Sequence, residues 1–109
     1  MSGSLYDWGY LVIWEFQARP ETVAAFVQAY GPSGDWVKLF RGAYGYLGTE
    51  LVRDVNSPQR FITIDFWSSR QDYDEFRIQH GVEYKRIDEK CAQLTLAERL
   101  VGEFEPAVK

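Results

Sequence analysis

Apolar and polar residues alternate at strand spacing near the start of the chain. Over residues 8–18, this alternation places five large apolar side chains on one face, namely Trp8, Tyr10, Val12, Trp14 and Phe16. Leu11 and Ile13 lie on the opposite face, so the middle of the strand is apolar on both sides. We therefore expect a central strand that is covered on both faces of its sheet.

Helical spacing replaces alternation after this strand. Pro20 suits the first position of a helix, where its missing N–H would have no intrahelical partner, and apolar residues then recur at helical spacing up to Gly31. A second, short helix is predicted over residues 35–41. We expect this short helix to cover the mouth of a pocket as a lid, with Trp36 or Phe40 pointing inward.

Two further strands come next. The second strand is predicted over residues 43–55 and the third over residues 60–67, with turn-forming residues at 56–59 between them. Strict alternation in the second strand places Tyr46 and Thr49 on opposite faces.

A long helix and a last strand complete the pattern. Ser69 begins a sequence that resembles a capping box, and an apolar stripe then steps by three or four residues. The stripe consists of Tyr73, Phe76, His80, Tyr84, Ile87, Cys91 and Leu94. Gly81 lies in the middle of this helix and is predicted to bend or briefly break it. The last strand is predicted over residues 98–105.

The order of these elements predicts an α+β fold. A ferredoxin-like βαββαβ subunit, with a four-stranded antiparallel sheet and its helices on one face, buries the observed stripes. The helices leave the second apolar face of the sheet uncovered, which costs ~25 cal/mol for each Å² of exposed apolar surface. Pairing two sheets across a two-fold axis removes that exposure, so the pattern predicts a homodimer.

Composition and charge narrow the class of protein. The 109 residues suit one domain, with its core at about residues 8–105, and aromatic residues make up 17% of them, more than a small core needs. The net charge is −4 and no basic stripe is present, which argues against nucleic acid and anionic membranes as partners. One cysteine excludes an internal disulfide. With no membrane-length apolar run and no recognisable leader, we expect a cytoplasmic protein.

Several segments resemble a known superfamily. The segments are WEFQARPETVAAFVQAYG, GDWVKLFRGAYGYLGTELVRD, PQRFITIDFWSSRQDYDEFR and LVGEFE. Together they are similar to the antibiotic biosynthesis monooxygenase-like family of dimeric α+β barrel proteins. The resemblance implies ferredoxin-like subunits whose sheets close into a barrel in the dimer, with a pocket between sheet and helices in each subunit. Some members oxidise polyketide phenols without metal or flavin, some degrade haem, and many have no known activity.

The resemblance argues against haem degradation. Haem-degrading relatives carry an asparagine in the first strand, and a tryptophan and a histidine on the second long helix. The corresponding positions in this chain fall near Trp14, at Phe76 and near Arg86, so none of the three matches. Haem degradation is therefore the least favoured reading, and no cofactor or metal site is predicted.

The surplus aromatic residues are candidates for a substrate pocket. Rings and phenolic hydroxyls could hold a flat aromatic ligand, and Arg53 or Arg86 could stabilise its anion. The candidate substrate-binding residues are Trp14, Trp36, Phe40, Tyr44, Tyr46, Trp67, Tyr73, Phe76 and Tyr84. For any single ring, a place in the core or in the dimer interface is the alternative.

Few side chains in the sequence can act as an acid or a base in such a pocket. His80 is the only histidine and is the candidate catalytic proton acceptor, with a structural histidine at the helix bend as the alternative. Asp65 lies between Ile64 and Phe66, where it is either a base or a structural hydrogen-bond partner. Cys91 is expected to be inert packing.

The sequence thus leads to one favoured function and one competing function. The favoured function is cofactor-independent monooxygenation of a phenolic or polyketide-like aromatic in a pocket between the sheet and the helices. The competing function is a non-catalytic, small-molecule-binding or stress-related dimeric barrel protein that uses the same pocket.

Overall fold

The first strand, β1, runs through the middle of the sheet in a computed structural model that describes residues 7–108. The elements in chain order are β1 (Tyr10–Ala18), α1 (Val23–Tyr30), α2 (Asp35–Arg41), β2 (Tyr46–Asp54), β3 (Ser57–Trp67), α3 (Arg70–Gln79), α4 (Gly81–Cys91) and β4 (Thr95–Phe104). Short 3-10 turns precede α1 and β4. No helix within residues 7–108 is both long and apolar enough to cross a membrane.

The four strands form one antiparallel sheet in the order β2-β3-β1-β4. This order and the helices on one face confirm the predicted ferredoxin-like α+β fold. The core lies between this face and the helices, where Phe26, Phe61, Trp67 and Phe76 are at most 2% exposed. These rings contact one another at centroid distances such as 4.8 Å for Phe26–Phe61 and 5.3 Å for Trp67–Phe76.

The predicted long helix is two helices, α3 and α4, that meet at His80. The hydroxyl of Ser69 accepts a hydrogen bond from the Asp72 N–H at 3.1 Å and begins α3. The His80 N–H still bonds to the Phe76 carbonyl, but the backbone of His80 leaves helical geometry at φ −118° and ψ 25°. The predicted break beside Gly81 is therefore confirmed.

The prediction of strict alternation in β2 is wrong, because a bulge interrupts the strand at Gly48. Gly48 has a φ of +145°, and the register with β3 shifts between Tyr46 and Gly48. As a result Tyr46 and Thr49 face the same side, and their hydroxyl groups lie 2.7 Å apart.

Some predicted strand boundaries also differ from the structure. β3 starts at Ser57, so residues 57–59 of the predicted turn belong to the strand. The Gln59 side chain donates a hydrogen bond to the Ala18 carbonyl, which holds this extension against β1. β4 begins at Thr95, three residues earlier than predicted, after the 3-10 turn that ends α4.

The second face of the sheet is apolar and carries no helix. Leu11 and Ile13 of β1 lie there beside alternate residues of β3, and all of them are only partly buried within the chain. The β3 residues are Ile62, Ile64 and Phe66. Val52 and Phe104 widen this surface and are 43% and 42% exposed. We call this surface the open face.

Gly45 provides a test of the backbone that joins α2 to β2. Its φ of +86° is unfavourable for side chains, and an added Cβ would lie 2.3 Å from an oxygen of Asp72. We expect Gly45→Ala to lower the free energy of unfolding by about 1–2 kcal/mol, measured by urea denaturation. Gly42→Ala is the matched control, because Gly42 has a φ of −82° and its nearest neighbouring atom would be 4.0 Å away. Equal losses in both variants would contradict this account.

Candidate functional site

A cavity of about 370 Å³ lies between the helix-covered face of the sheet and the helices. This volume is in the range of small-molecule sites. Six aromatic side chains from β1, α1, α2 and α4 form its walls, namely Trp14, Phe16, Tyr30, Trp36, Phe40 and Tyr84. The cavity therefore suits a flat, largely apolar ligand.

The short helix α2 supplies two of these walls. Trp36 and Phe40 are 7% and 6% exposed, and both line the cavity. The ring of Trp36 meets the ring of Tyr84 edge-on at 4.9 Å. One of the two rings was expected to point inward and both do, whereas movement of α2 as a lid remains a prediction. The Lys90 ammonium group bonds to Asp35 at 2.8 Å and attaches the start of α2 to α4.

Two buried polar residues line the cavity, Thr63 and Asp65, and Asp65 is the ionisable one. Asp65 is 8% exposed, and burial raises its pKa to about 6 although a hydrogen bond from Thr49 opposes the shift. The Thr49 hydroxyl donates to Asp65 Oδ1 at 2.7 Å, and Tyr46 adjoins that hydroxyl. Among the described residues, Asp65 Oδ2 has no hydrogen-bond partner. Asp65 therefore offers a ligand one open acceptor with a pKa near neutral.

Arg77 lines the same cavity from α3. Its guanidinium group donates to the Tyr73 hydroxyl at 2.9 Å and lies 4.0 Å from the centre of the Tyr84 ring. No salt bridge joins Arg77 to Asp65 within residues 7–108, so Arg77 does not occupy the open oxygen of Asp65. Burial raises the pKa of the Tyr73 and Tyr84 hydroxyls, so both remain protonated at neutral pH.

Two more carboxylates lie near the entrance of the cavity. Asp88 of α4 and Glu98 of β4 both line it, and both are exposed to solvent. Burial of its carboxyl and the nearby Asp88 charge raise the pKa of Glu98. No set of three acidic, histidine or cysteine side chains in the described residues is arranged to hold a metal ion.

His80 lies outside the residues that line the cavity. Its ring stacks on Phe76 with centroids 5.3 Å apart, and its Nδ1 is 3.7 Å from a carboxylate oxygen of Glu83. This location agrees with the structural alternative, a histidine at the helix break. The catalytic role of His80 stays a prediction, and Asp65 is the side chain in the cavity with the properties of a base.

The structure separates the nine aromatic candidates into three groups. Trp14, Trp36, Phe40 and Tyr84 line the cavity. A second group packs behind the walls, namely Tyr46, Trp67, Tyr73 and Phe76, and Trp67 is fully buried. Tyr44 is 86% exposed and contributes to neither group.

The cation of the cavity was not among the predicted arginines. Arg53 lies over the ring of Phe61 at 4.9 Å, Arg86 is exposed on α4, and neither lines the cavity. Helical spacing could have identified Arg77 from the sequence. Arg77 is seven residues before Tyr84, and this spacing predicts that both side chains lie on the same side of the helical segment. The same spacing places Asp88, four residues after Tyr84, at the entrance of the cavity.

Solved structures with the same fold come from several organisms. A conserved protein from Methanosarcina mazei Go1 is 13% identical, with a TM-score of 0.69 over 91% of this chain and 93% of that one. A candidate antibiotic biosynthesis monooxygenase from Deinococcus radiodurans is 15% identical, with a TM-score of 0.73 over 92% and 94%. SnoaB, a cofactor-independent oxygenase from Streptomyces nogalater, is 13% identical, with a TM-score of 0.69 over 94% and 96%.

Sequence comparison supplies the family. No curated protein matches the sequence. The profile of the antibiotic biosynthesis monooxygenase family matches residues 9–80, which is more than half of the chain, and confirms the resemblance described above. The chain therefore belongs to the antibiotic biosynthesis monooxygenase family.

Proposed function

We propose that the protein is a cofactor-independent monooxygenase of a phenolic or polyketide-like aromatic. The observation that carries this proposal is the open oxygen of Asp65 in an aromatic-walled cavity that also contains Arg77. The fold shared with SnoaB, itself a cofactor-independent oxygenase, agrees with it. The proposed substrate is a fused phenol in which a ring carbon bears hydrogen, because such a compound forms a delocalised anion.

The first step is removal of a proton from the substrate. Asp65 Oδ2 accepts the phenolic proton, and its pKa of about 6 leaves it ionised at neutral pH and able to act as a base. The negative charge spreads through the ring system to its other oxygen atoms. Arg77 then stabilises the charge at the cavity entrance, where its guanidinium group is already oriented by Tyr73.

The substrate anion then reacts with oxygen. One electron passes from the anion to O₂, and the resulting superoxide combines with the substrate radical to form a carbon–oxygen bond. Protonation gives a hydroperoxide. Cleavage of its O–O bond, with loss of the hydrogen from the same carbon, leaves a quinone carbonyl and releases water. One oxygen atom therefore enters the product, and the two electrons of the substrate reduce the other oxygen atom to water.

Oxygen uptake tests the proposed reaction. With hydroquinones and anthrone-like phenols, and no metal or flavin added, we expect uptake that rises as pH increases through about 6 because Asp65 must be ionised. Asp65→Asn should lower kcat by about 10²–10⁴-fold, and Arg77→Met by about 10²-fold. Arg70→Met, which removes an exposed arginine of α3 outside the cavity, should have little effect. Ligand binding without oxygen uptake would favour the competing binding function.

The proposed base has a cost in stability that can be measured. Burial raises the pKa of Asp65 from 3.8 to about 6, so between these values the folded protein binds more protons than the unfolded chain. Below about pH 4 the Asp65 carboxyl is protonated in both states, so its burial costs little. The free energy of unfolding then falls as pH rises to about 6, because only the unfolded chain ionises freely. We expect Asp65→Asn to raise the free energy of unfolding by about 3 kcal/mol at pH 7 and by little at pH 4.

Urea denaturation at the two pH values measures this difference. Asp88→Asn is the control, because it removes an exposed carboxylate of the same cavity and should change stability little at either pH. A variant at Asp65 that is no more stable than the parent at pH 7 would contradict the proposed burial cost.

We further propose that the protein is a homodimer that pairs two open faces. Light scattering should give twice the 12.7 kDa mass of the chain. Ile13→Asp places a charge in the open face, and we expect it to produce a folded monomer. Val82→Asp is the control, because Val82 of α4 is 83% exposed and lies on the helical side. A parent protein that remains monomeric at micromolar concentration would disprove the dimer.

A further inference from the structure

We infer that the substrate of this cavity carries a protonated amine in addition to its phenolic hydroxyl. The inference deepens the proposed function, because it names the substrate class of the same site. It depends on the charges at the cavity entrance, on the aromatic walls and on the open carboxylate oxygen of Asp65 at the cavity floor.

The entrance has more negative than positive charge. Asp88 and Glu98 line it, and neither forms a salt bridge with another described residue. Arg77 is the only cation that lines the cavity within residues 7–108. With Asp65 ionised, three carboxylates therefore face one guanidinium group, and the empty site has a net charge of −2. A cationic ligand neutralises part of this charge, whereas an anionic ligand is repelled.

Arg77 is near enough for its charge to interact with that of Asp88, but its guanidinium group is held elsewhere. It donates to the Tyr73 hydroxyl and covers the face of the Tyr84 ring, and it makes no salt bridge with either carboxylate of the entrance. Asp88 and Glu98 are also close enough for the charge of one to raise the pKa of the other. Two neighbouring carboxylates that no cation within residues 7–108 contacts in a salt bridge form a suitable receptor for an ammonium group.

The walls near this pair favour the same ligand chemistry. Trp14 lines the cavity from β1 and Trp36 from α2, and no arginine or lysine within residues 7–108 covers either ring. Indole faces attract cations, and the attraction grows where water is partly excluded. Aromatic rings combined with carboxylates are a common arrangement for binding amines.

The floor determines the orientation of the ligand. Asp65 is nine-tenths buried, and its Oδ2 has no hydrogen-bond partner among the described residues, so the phenolic hydroxyl enters first. The amine then lies at the entrance between Asp88 and Glu98, where it keeps part of its hydration. The inferred substrate is therefore an aromatic with the phenol at one end and the ammonium group at the other.

Matched ligands test this inference by binding alone, without the oxidation reaction. Tyramine, para-ethylphenol and para-hydroxyphenylpropionate share a phenol and differ in carrying a positive charge, no charge or a negative charge. Binding is measured anaerobically by calorimetry at low salt, so absence of oxidation and absence of the charge preference are separate results. We expect tyramine to bind about tenfold more tightly than para-ethylphenol and the carboxylate to bind most weakly. The preference should decrease at high salt.

Paired variants assign the preference to the entrance. The double variant Asp88→Asn/Glu98→Gln should bind tyramine and para-ethylphenol with similar affinity. Glu89→Gln, on the same helix but outside the cavity, should keep the tenfold difference. Circular dichroism checks that each variant is folded. Equal affinities in the parent, a preference that survives in the double variant, or no binding of any of the three phenols would overturn the inference.

Discussion

Helices cover one face of the sheet, and the rest of the structure depends on this asymmetry. On the covered face, Phe61 and Trp67 of β3 face the helices and form the core. On the open face, Ile62 and Ile64 of the same strand have no covering layer within the chain. Since both faces are apolar, a single chain buries the apolar surface of only one face of its sheet. The cavity lies on the helix-covered face, and the proposed dimer contact lies on the open face.

The polar floor of the cavity depends on the bulge in β2. Gly48 shifts the register, and Thr49 turns toward the helices beside Asp65 of the neighbouring strand. Without this shift, alternation would place Thr49 on the open face, and the carboxylate would lose its donor. The hydrogen bond lowers the pKa of Asp65 but does not cancel the effect of burial, so the pKa remains near 6. In a regular strand the pKa would be higher, so a smaller fraction of Asp65 would be ionised and able to accept a proton at neutral pH.

Much of the fold followed from hydrophobic periodicity, and the site followed only in part. The faces of β1 and β3 and the apolar open face were readable, because a period of two residues reports directly which side of a strand is buried, and Gly81 indicated the helix break. The bulge at Gly48 was not predicted, because a glycine inside a strand indicates that a bulge is possible but alternation does not show where the register shifts. For the same reason the pairing of Thr49 with Asp65 could not be predicted from the sequence.

The charged residues of the cavity could not be assigned to it from the sequence, for a different reason. Arg77 and Asp88 border the apolar stripe of the helices, where a charged residue in a sequence reads as ordinary solvated surface. Only the tertiary structure, in which α3, α4 and β4 each contribute residues to the same space, shows that Tyr84 faces an opening and not solid core. Lone charges beside a buried tyrosine are thus informative when a second element contributes a charge to the same space, as Glu98 of β4 does here. That combination depends on tertiary structure, and it is the feature from which the chemistry of the substrate can be argued.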